Sequence, residues 1–548
     1  MVIKSSIYNH FFNQEEKMKK FTVLVLCLSL AGGMAFAGGG GQRAQPASGG
    51  PVEFSATFAK GVYHGDPNDM SLYTKLGEET NVKVNWIVVP ETNWSERYNI
   101  MINSGDLPDV FYRCSISSSD VNRYGRQGLF IELTDLINRY APNLVKVMNQ
   151  DPLFKAGSTN PTDGKIYTIK TMTNRTANNL VGTIFIYQPW LDKLGIPFPV
   201  TYLDFENMMR EFKTKDPNGN GRADEFPFVF ANGWSGNSSI QQFFAIFGYG
   251  YRGIRPDDNC FVEDFNGKAV FVPGTPNFRE AIVWLHKLFA EGLFAEEDYA
   301  AMDRNLFTAK CFSEEVVTGS FSAFHKNSAY VPEERYDDYT RLDVPLKGPH
   351  GDQIWVQSSK VLGLDTAAII TNKGANKAVD IMRWIDAHFE PVKSMEMIMG
   401  PIGINLERRP DGMIGYVPTP PDTNYNQFRY GQCGVSNVPS YIAPEAWGTT
   451  LEIMEEDIDR IPWVQNILKP YLTQWFIYSY PVDAETQFIQ NQGKEIDDYV
   501  KITQSKWLMQ GGIEQEWDAF QARLKAMGVD EYIKVMQNQI DRFNQYSR

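Results

Sequence analysis

A chain of 548 residues, 43% hydrophobic and 22% charged, holds enough apolar material for two or three domains with cores of their own, which excludes global disorder. Its formal net charge of −14 argues against nucleic-acid binding and against electrostatic attachment to anionic membranes. The 12 Trp and 26 Tyr suit carbohydrate recognition, because a ring stacks on a flat sugar face while its polar edge still hydrogen-bonds.

Met18-Lys19-Lys20 is a short basic start, residues 21–30 form an apolar run, and Ala35-Phe36-Ala37 is a small-x-small cleavage pattern. Together they predict an export signal over residues 1–37, cut after Ala37, with the true start at Met18. The apolar run is too short to remain as a membrane span. Cys27 offers a lipid-anchored alternative, disfavoured by Leu26 in front of it and by the few apolar residues that precede it. Residues 38–51 are rich in Gly, Ser and Pro and read as a flexible leader. The mature chain is expected outside the inner membrane, periplasmic or extracytoplasmic, and soluble.

The body then alternates. A strand is predicted over 52–59, a turn-rich loop over 61–69, a helix over 70–79, a strand over 82–89, a helix over 94–103 and a short strand over 109–112. This alternation builds a parallel sheet covered on both faces, with ligands bound beyond the carboxyl ends of its strands. The loops 61–69 and 112–119 therefore stand where a ligand would sit. Further on, helical spacing marks 276–292 and 375–389, and a strand pattern marks 361–371. Two amphipathic helices close the chain, one carrying Trp517, Phe520, Leu524 and Met527, the other Tyr532, Val535, Met536, Ile540 and Phe543. Cys114, Cys260, Cys311 and Cys433 lie far apart without metal or redox spacing, and sequence leaves their disulfide state open.

The sharpest local signal is Asp216-Pro-Asn-Gly-Asn-Gly-Arg-Ala-Asp-Glu225. Asp216, Asn218, Asn220 and Asp224 fall at positions 1, 3, 5 and 9 of a calcium-type loop, Gly221 at the sharp turn, and Arg222 where a backbone carbonyl is used. Pro227 occupies position 12, so Glu225 takes the place of the usual bidentate glutamate. This oxygen-rich set fits a structural Ca²⁺ better than a transition metal. The competing reading is an Asx/Gly turn that holds no ion.

Several segments in shared order resemble the extracellular solute-binding proteins of carbohydrate ABC importers. The branch resembled is the large one that includes alginate- and aldouronate-binding proteins. Asn103-Ser-Gly-Asp-Leu-Pro-Asp109, Gly128-Leu-Phe-Ile-Glu-Leu133, Tyr140-Ala-Pro-Asn143, Asp163-Gly-Lys-Ile-Tyr167 and Trp190-Leu-Asp-Lys-Leu-Gly195 carry the resemblance. They are followed by the Asp216 loop, Glu291-Gly-Leu293 and the closing Gln537 with Asp541-Arg542. Gln188 departs from the basic residue frequent two positions before the tryptophan. The resemblance implies an α/β, two-lobe periplasmic-binding-protein fold of type II, maltose-binding-protein-like, with a multi-strand hinge. On that pattern lobe 1 takes 52–175 with a return segment 356–415, and lobe 2 takes 176–355 with 416–548. It also implies a monomeric, non-enzymatic carrier that closes over an oligosaccharide, with a uronate among the options, and hands it to permease subunits in the membrane.

Candidate ligand residues lie at the strand ends: Tyr63, His64, Tyr112, Arg113, Trp234, Phe324 and His325, with Trp355 a weaker one. Arg113 matters most for a uronate, because guanidinium reads carboxylate bidentately. Trp86, Trp190, Trp284 and Trp517 sit inside element patterns and are assigned to the core. A secreted carbohydrate-active enzyme is the rival reading, but the acidic pairs lie in charged runs and no nucleophile-elbow, zinc-protease or phosphate-loop pattern occurs. A second rival is a binding protein that presents a non-sugar ligand to a sensor.

Overall fold

The first strand, Val52–Lys60, buries Phe54, Ala56 and Phe58 on one face and Thr57 and Ala59 on the other. Burial on both faces is what a central parallel strand requires. The computed structural model describes residues 50–173, 182–231, 240–251, 253, 260–263, 266–300, 304–323, 325, 331–356, 366–421, 423, 425–454, 458–472 and 481–546. The export signal and most of the leader lie outside them. No helix among the described residues is long and apolar enough to cross a membrane.

In chain order the described strands are β1 (Val52–Lys60), β2 (Val82–Pro90), β3 (Val110–Tyr112), β4 (Ile169–Thr173), β5 (Thr183–Tyr187), β6 (Phe261–Glu263), β7 (Ala269–Phe271), β8 (Ser320–Ala323), β9 (Tyr339–Arg341), β10 (Thr366–Ile370), β11 (Leu406–Arg408), β12 (Ile414–Tyr416) and β13 (Ser440–Ile442). One sheet has the order β13-β4-β10-β3-β1-β2, and a second has the order β8-β5-β9. In the first, β1 pairs in parallel with β2 and β3, in the register Val52 to Val82 and Ala56 to Val110. The parallel pairing expected of the first three strands is present, and the sheet they join is mixed. β10 runs antiparallel to both β3 and β4, because the chain re-enters this sheet from the opposite end after building the second.

Helices cover the first sheet where the apolar spacing predicts them. Ser71–Thr80 turns Leu72, Tyr73 and Leu76 inward and stops at Asn81, whose φ of 53° breaks the helix. Trp94–Ser104, Pro276–Ala290, Ile513–Ala526 and Val529–Tyr546 also fall on predicted segments. The predicted helix 375–389 starts as a 3₁₀ turn, Asn372–Lys377, and becomes α-helical only over Ala378–Ala387. Helix Tyr202–Thr214 opens with a capping box. Asp204 N–H donates to Thr201 Oγ1 (3.1 Å), and Thr201 N–H donates to the Asp204 carboxylate (2.8 Å).

Two large cores result. Phe54, Tyr112, Ile370, Trp384 and Ile442 belong to one, and Trp190, Phe205, Trp284, Trp355, Trp463 and Trp507 to the other. Each such side chain contributes roughly 1.5–3 kcal/mol by leaving water. The chain passes between the cores after β4, after Val356 and after Met454. The segment 416–454, expected with the second lobe, instead supplies β13, which pairs in parallel with β4, and buries Cys433, Val438 and Leu451 in the first core. Its backbone finds partners on β4, which fixes its side. Away from those passages, Asn122 Nδ2 donates to the Pro481 carbonyl (3.0 Å) and Arg126 pairs with Asp483, tying first-core to second-core segments.

Of the tryptophans assigned to the core, Trp190 and Trp284 are buried, while Trp86 and Trp517 are half-buried at its margin. Trp355, the weaker ligand candidate, is fully buried against Trp463, with ring centroids 5.4 Å apart, and presents nothing to a ligand. The four cysteines of the described residues are buried and unpaired, each in a different apolar cluster.

Candidate functional site

β1 and β3 run in parallel, so the loops after Lys60 and Tyr112 emerge at the same edge of the sheet. Strand alternation decides what each offers. Tyr112 shares its face with Val110 and points into the core, fully buried. Its hydroxyl donates to Nε2 of the buried His388 (3.0 Å), whose Nδ1–H donates to the Trp384 carbonyl (2.8 Å). Expected as a ligand contact, Tyr112 is a core residue.

Arg113 follows with φ of 47°, a left-handed conformation that turns the side chain back under the loops. Only 2% exposed, its Nε donates to the Gly434 carbonyl (2.9 Å), Nη1 to the Ala59 carbonyl, and Nη2 to Nε2 of His64 (2.8 Å). The guanidinium also lies 5.1 Å from the centroid of the Phe58 ring. His64 is buried with it, and burial together with the Arg113 charge lowers its imidazole to about 4. A neutral His64 that accepts from Arg113 carries its proton on Nδ1, which is buried without a partner. Neither side chain faces solvent; both tie the β1 and β3 loops to Gly434.

Tyr63 is different: it is 47% exposed, beside the fully open Val62. Tyr430 packs edge-to-face on it, with centroids 6.4 Å apart at 81°, and lies 4.9 Å from His64. Sequence reasoning missed Tyr430. The polar-aromatic run Phe428-Arg429-Tyr430-Gly431, following a proline-rich loop, is the signal that points to it. His325 is half-buried and engaged with neighbours, whereas Trp234 and Phe324 lie outside the described residues.

The Asp216 loop is a second polar cluster, built between helix Tyr202–Thr214 and the segment that bridges to β8 at Val229 and Phe321. Asp216 has φ of 47°, and Gly219 and Gly221 have φ of 77° and 74°, so three tight reversals turn the backbone on itself. The Asp216 carboxylate accepts from the backbone N–H of Gly219, Asn220 and Gly221 at 3.0, 3.1 and 3.1 Å. Asn218 and Asn220 donate their amides to Asp224, and Arg222 pairs with Asp224 and with Glu315. Glu225 Oε1 is buried without a partner. Burial, with the charges of Asp224 and Asp216, raises the Glu225 carboxyl above the usual carboxylate range. An orphaned acid oxygen among like charges is the environment a cation relieves, so the donor set fits calcium. Among the described residues no three acidic, His or Cys side chains are yet gathered closely enough to hold an ion.

Residues 64–303 match the family model described as bacterial extracellular solute-binding protein. That stretch is a little under half of the chain. The chain is 27% identical over 497 residues to the fructooligosaccharide ABC transporter substrate-binding protein FusA of Streptococcus pneumoniae, spanning 87% of this chain and 88% of FusA. The structure of FusA in complex with kestose superposes with a TM-score of 0.77 at 26% identity, covering 90% of this chain and 99% of FusA. An EF-hand mutant of FusA in complex with fructo-nystose gives 0.77 at 25% identity, with the same coverage. The alginate-binding protein AlgQ2, in a structure without calcium ion, shares the fold with a TM-score of 0.67 at 20% identity over 90% of this chain and 98% of its own. The chain thus has the mixed α/β, two-lobe architecture that the sequence resemblance implies.

Proposed function

We propose that this solute-binding protein captures an oligosaccharide between its two cores, closes over it, and delivers it to the permease of an ABC importer. The observation that carries the reading is the alignment with FusA over 87% of the chain at 27% identity, with the shared fold. The lobes are taken as 52–173 with 366–454, and 182–356 with 458–546, following the residues of the two cores. Closure then brings one core toward the other. No chemistry is assigned to the carrier, which acts as a monomer after export and loss of its signal.

The ligand is taken as neutral. Arg113, the residue through which a uronate would be read, already donates to two carbonyls and an imidazole from a buried position. Calcium is held by Asp216, Asn218, Asn220, the Arg222 carbonyl, Asp224 and Glu225, and stiffens the loop between the Tyr202–Thr214 helix and β8. Thermal-shift measurements against neutral and uronate-containing oligosaccharides, with product analysis, test the carrier role. Stabilisation by a neutral oligosaccharide without cleavage is expected. Cleavage products, or no response to any sugar, would sink the proposal.

A further inference from the structure

Stacking a sugar requires a ring with one face open to solvent and its angle fixed beforehand, since a freely rotating ring loses that freedom on binding. Among the sequence-predicted ligand residues described at the ends of β1 and β3, Tyr63 meets the first requirement, with nearly half its surface exposed. Tyr430 meets the second for it, because the edge-to-face contact sets the angle between the two rings. Tyr430 is braced in turn: His64 lies against it at 4.9 Å, and the Arg429 guanidinium stands 5.1 Å from its ring centroid. Gly65 N–H donates to the Tyr430 carbonyl (3.2 Å), joining the two segments by backbone as well. Behind them Arg113 anchors His64, Ala59 and Gly434 together.

Given sugar capture as proposed above, we infer that Tyr63 is a stacking platform for a neutral sugar residue and that Tyr430 is the positioning residue that holds it at a fixed angle. The two segments come from opposite ends of the first lobe's sequence, so the platform exists only after β13 has joined the sheet. The buried His64–Arg113 pair supports the platform from below and takes no part in contact. Recognition at this place is by ring face.

Isothermal titration of the full-length mature protein with kestose, and with maltotriose and xylotriose as further neutral probes, tests this. For whichever probe binds the wild type, Tyr63→Ala is expected to weaken binding at least roughly tenfold, the scale of one aromatic contact. Tyr63→Phe and Tyr63→Trp should stay within about threefold, since the ring is kept. Tyr430→Ala should lose roughly three- to tenfold and Tyr430→Phe should restore it, because the edge-to-face contact needs the ring and not the hydroxyl. The urea midpoint of the Tyr63→Ala protein without sugar should match the wild type. Binding by Tyr63→Ala within twofold of the wild type overturns the inference while leaving the carrier role intact. A Tyr63→Phe loss as large as that of Tyr63→Ala overturns the stacking. A wild type that binds no sugar removes the carrier role, and the platform with it.

Discussion

The Arg113 cluster and the Asp216 loop look alike in sequence: each gathers charged and polar residues in a loop that follows a regular element. In three dimensions they are opposites. At Arg113 the polar groups largely satisfy one another, and the cluster closes inward beneath the sheet edge. At Asp216 the backbone donors are used up by one carboxylate, while Glu225 keeps a buried oxygen with no partner beside two like charges. A satisfied cluster holds the fold, and an unsatisfied one invites a ligand. Residue type does not separate the two cases. The sign and direction of what is left over does.

Breaking the satisfied cluster should have the largest effect. Arg113→Ala leaves His64 and the Gly434 carbonyl without their buried donor and opens a cavity beside Phe58, so a loss of about 3 kcal/mol or more in urea denaturation is expected. An unchanged midpoint would mean that the cluster is not structural. Next comes the loop. With calcium at 100 times its Kd, the ion should add about 2.7 kcal/mol, which a chelator removes. Glu225→Gln should melt like the chelated wild type and ignore added calcium. A wild type indifferent to chelator would return the loop to a plain turn.

A pH series sharpens the contrast between burial of a base and burial of an acid. His64 has its folded value lowered to about 4, so below pH 6.5 the unfolded chain takes up a proton that the folded chain refuses, and stability falls with pH through that window. The expected loss is roughly 2 kcal/mol between pH 7 and pH 5, reduced in His64→Gln. Asp298, buried beside Lys310 in the other lobe, goes the other way. Burial raises its carboxyl to about 6 despite the Lys310 bond, so its contribution is fully present below its unfolded value of 3.8 and is lost as pH rises through 6. Asp298→Asn should therefore steepen the loss on acidification, and the reverse result would contradict the assignment. The smallest effect expected is at Thr201→Ala, which removes an N-cap at the far end of the helix leading to the Asp216 loop. About 1 kcal/mol should be lost while the response to calcium is unchanged.

Much of the fold was legible because the first three strands and their helices follow simple periods. The mixed sheet was not legible. That β10 enters antiparallel and β13 joins β4 depends on pairings between distant segments, which no local pattern records. The site divides similarly. The Asp216 loop is local, so its ligand spacing could be read directly. Tyr112 could have been placed in the core by following strand parity from Val110. Arg113 could not, because its inward turn rests on a left-handed backbone angle that an arginine rarely adopts. Tyr430 carries a local signal in its polar-aromatic run, but pairing it with Tyr63 required knowing that the segment before β13 returns to the loop after β1.

The four unpaired cysteines have a kinetic consequence. Thiol–disulfide exchange proceeds through the thiolate, and burial pushes every one of these thiols up, Cys433 to about 12. Each is sealed in a separate apolar cluster, so no two can couple while those clusters stay closed. Burial therefore protects these thiols for as long as the native clusters hold. The order in which a thiol reagent modifies Cys114, Cys260, Cys311 and Cys433 in the native protein would then rank how often each part of the molecule opens.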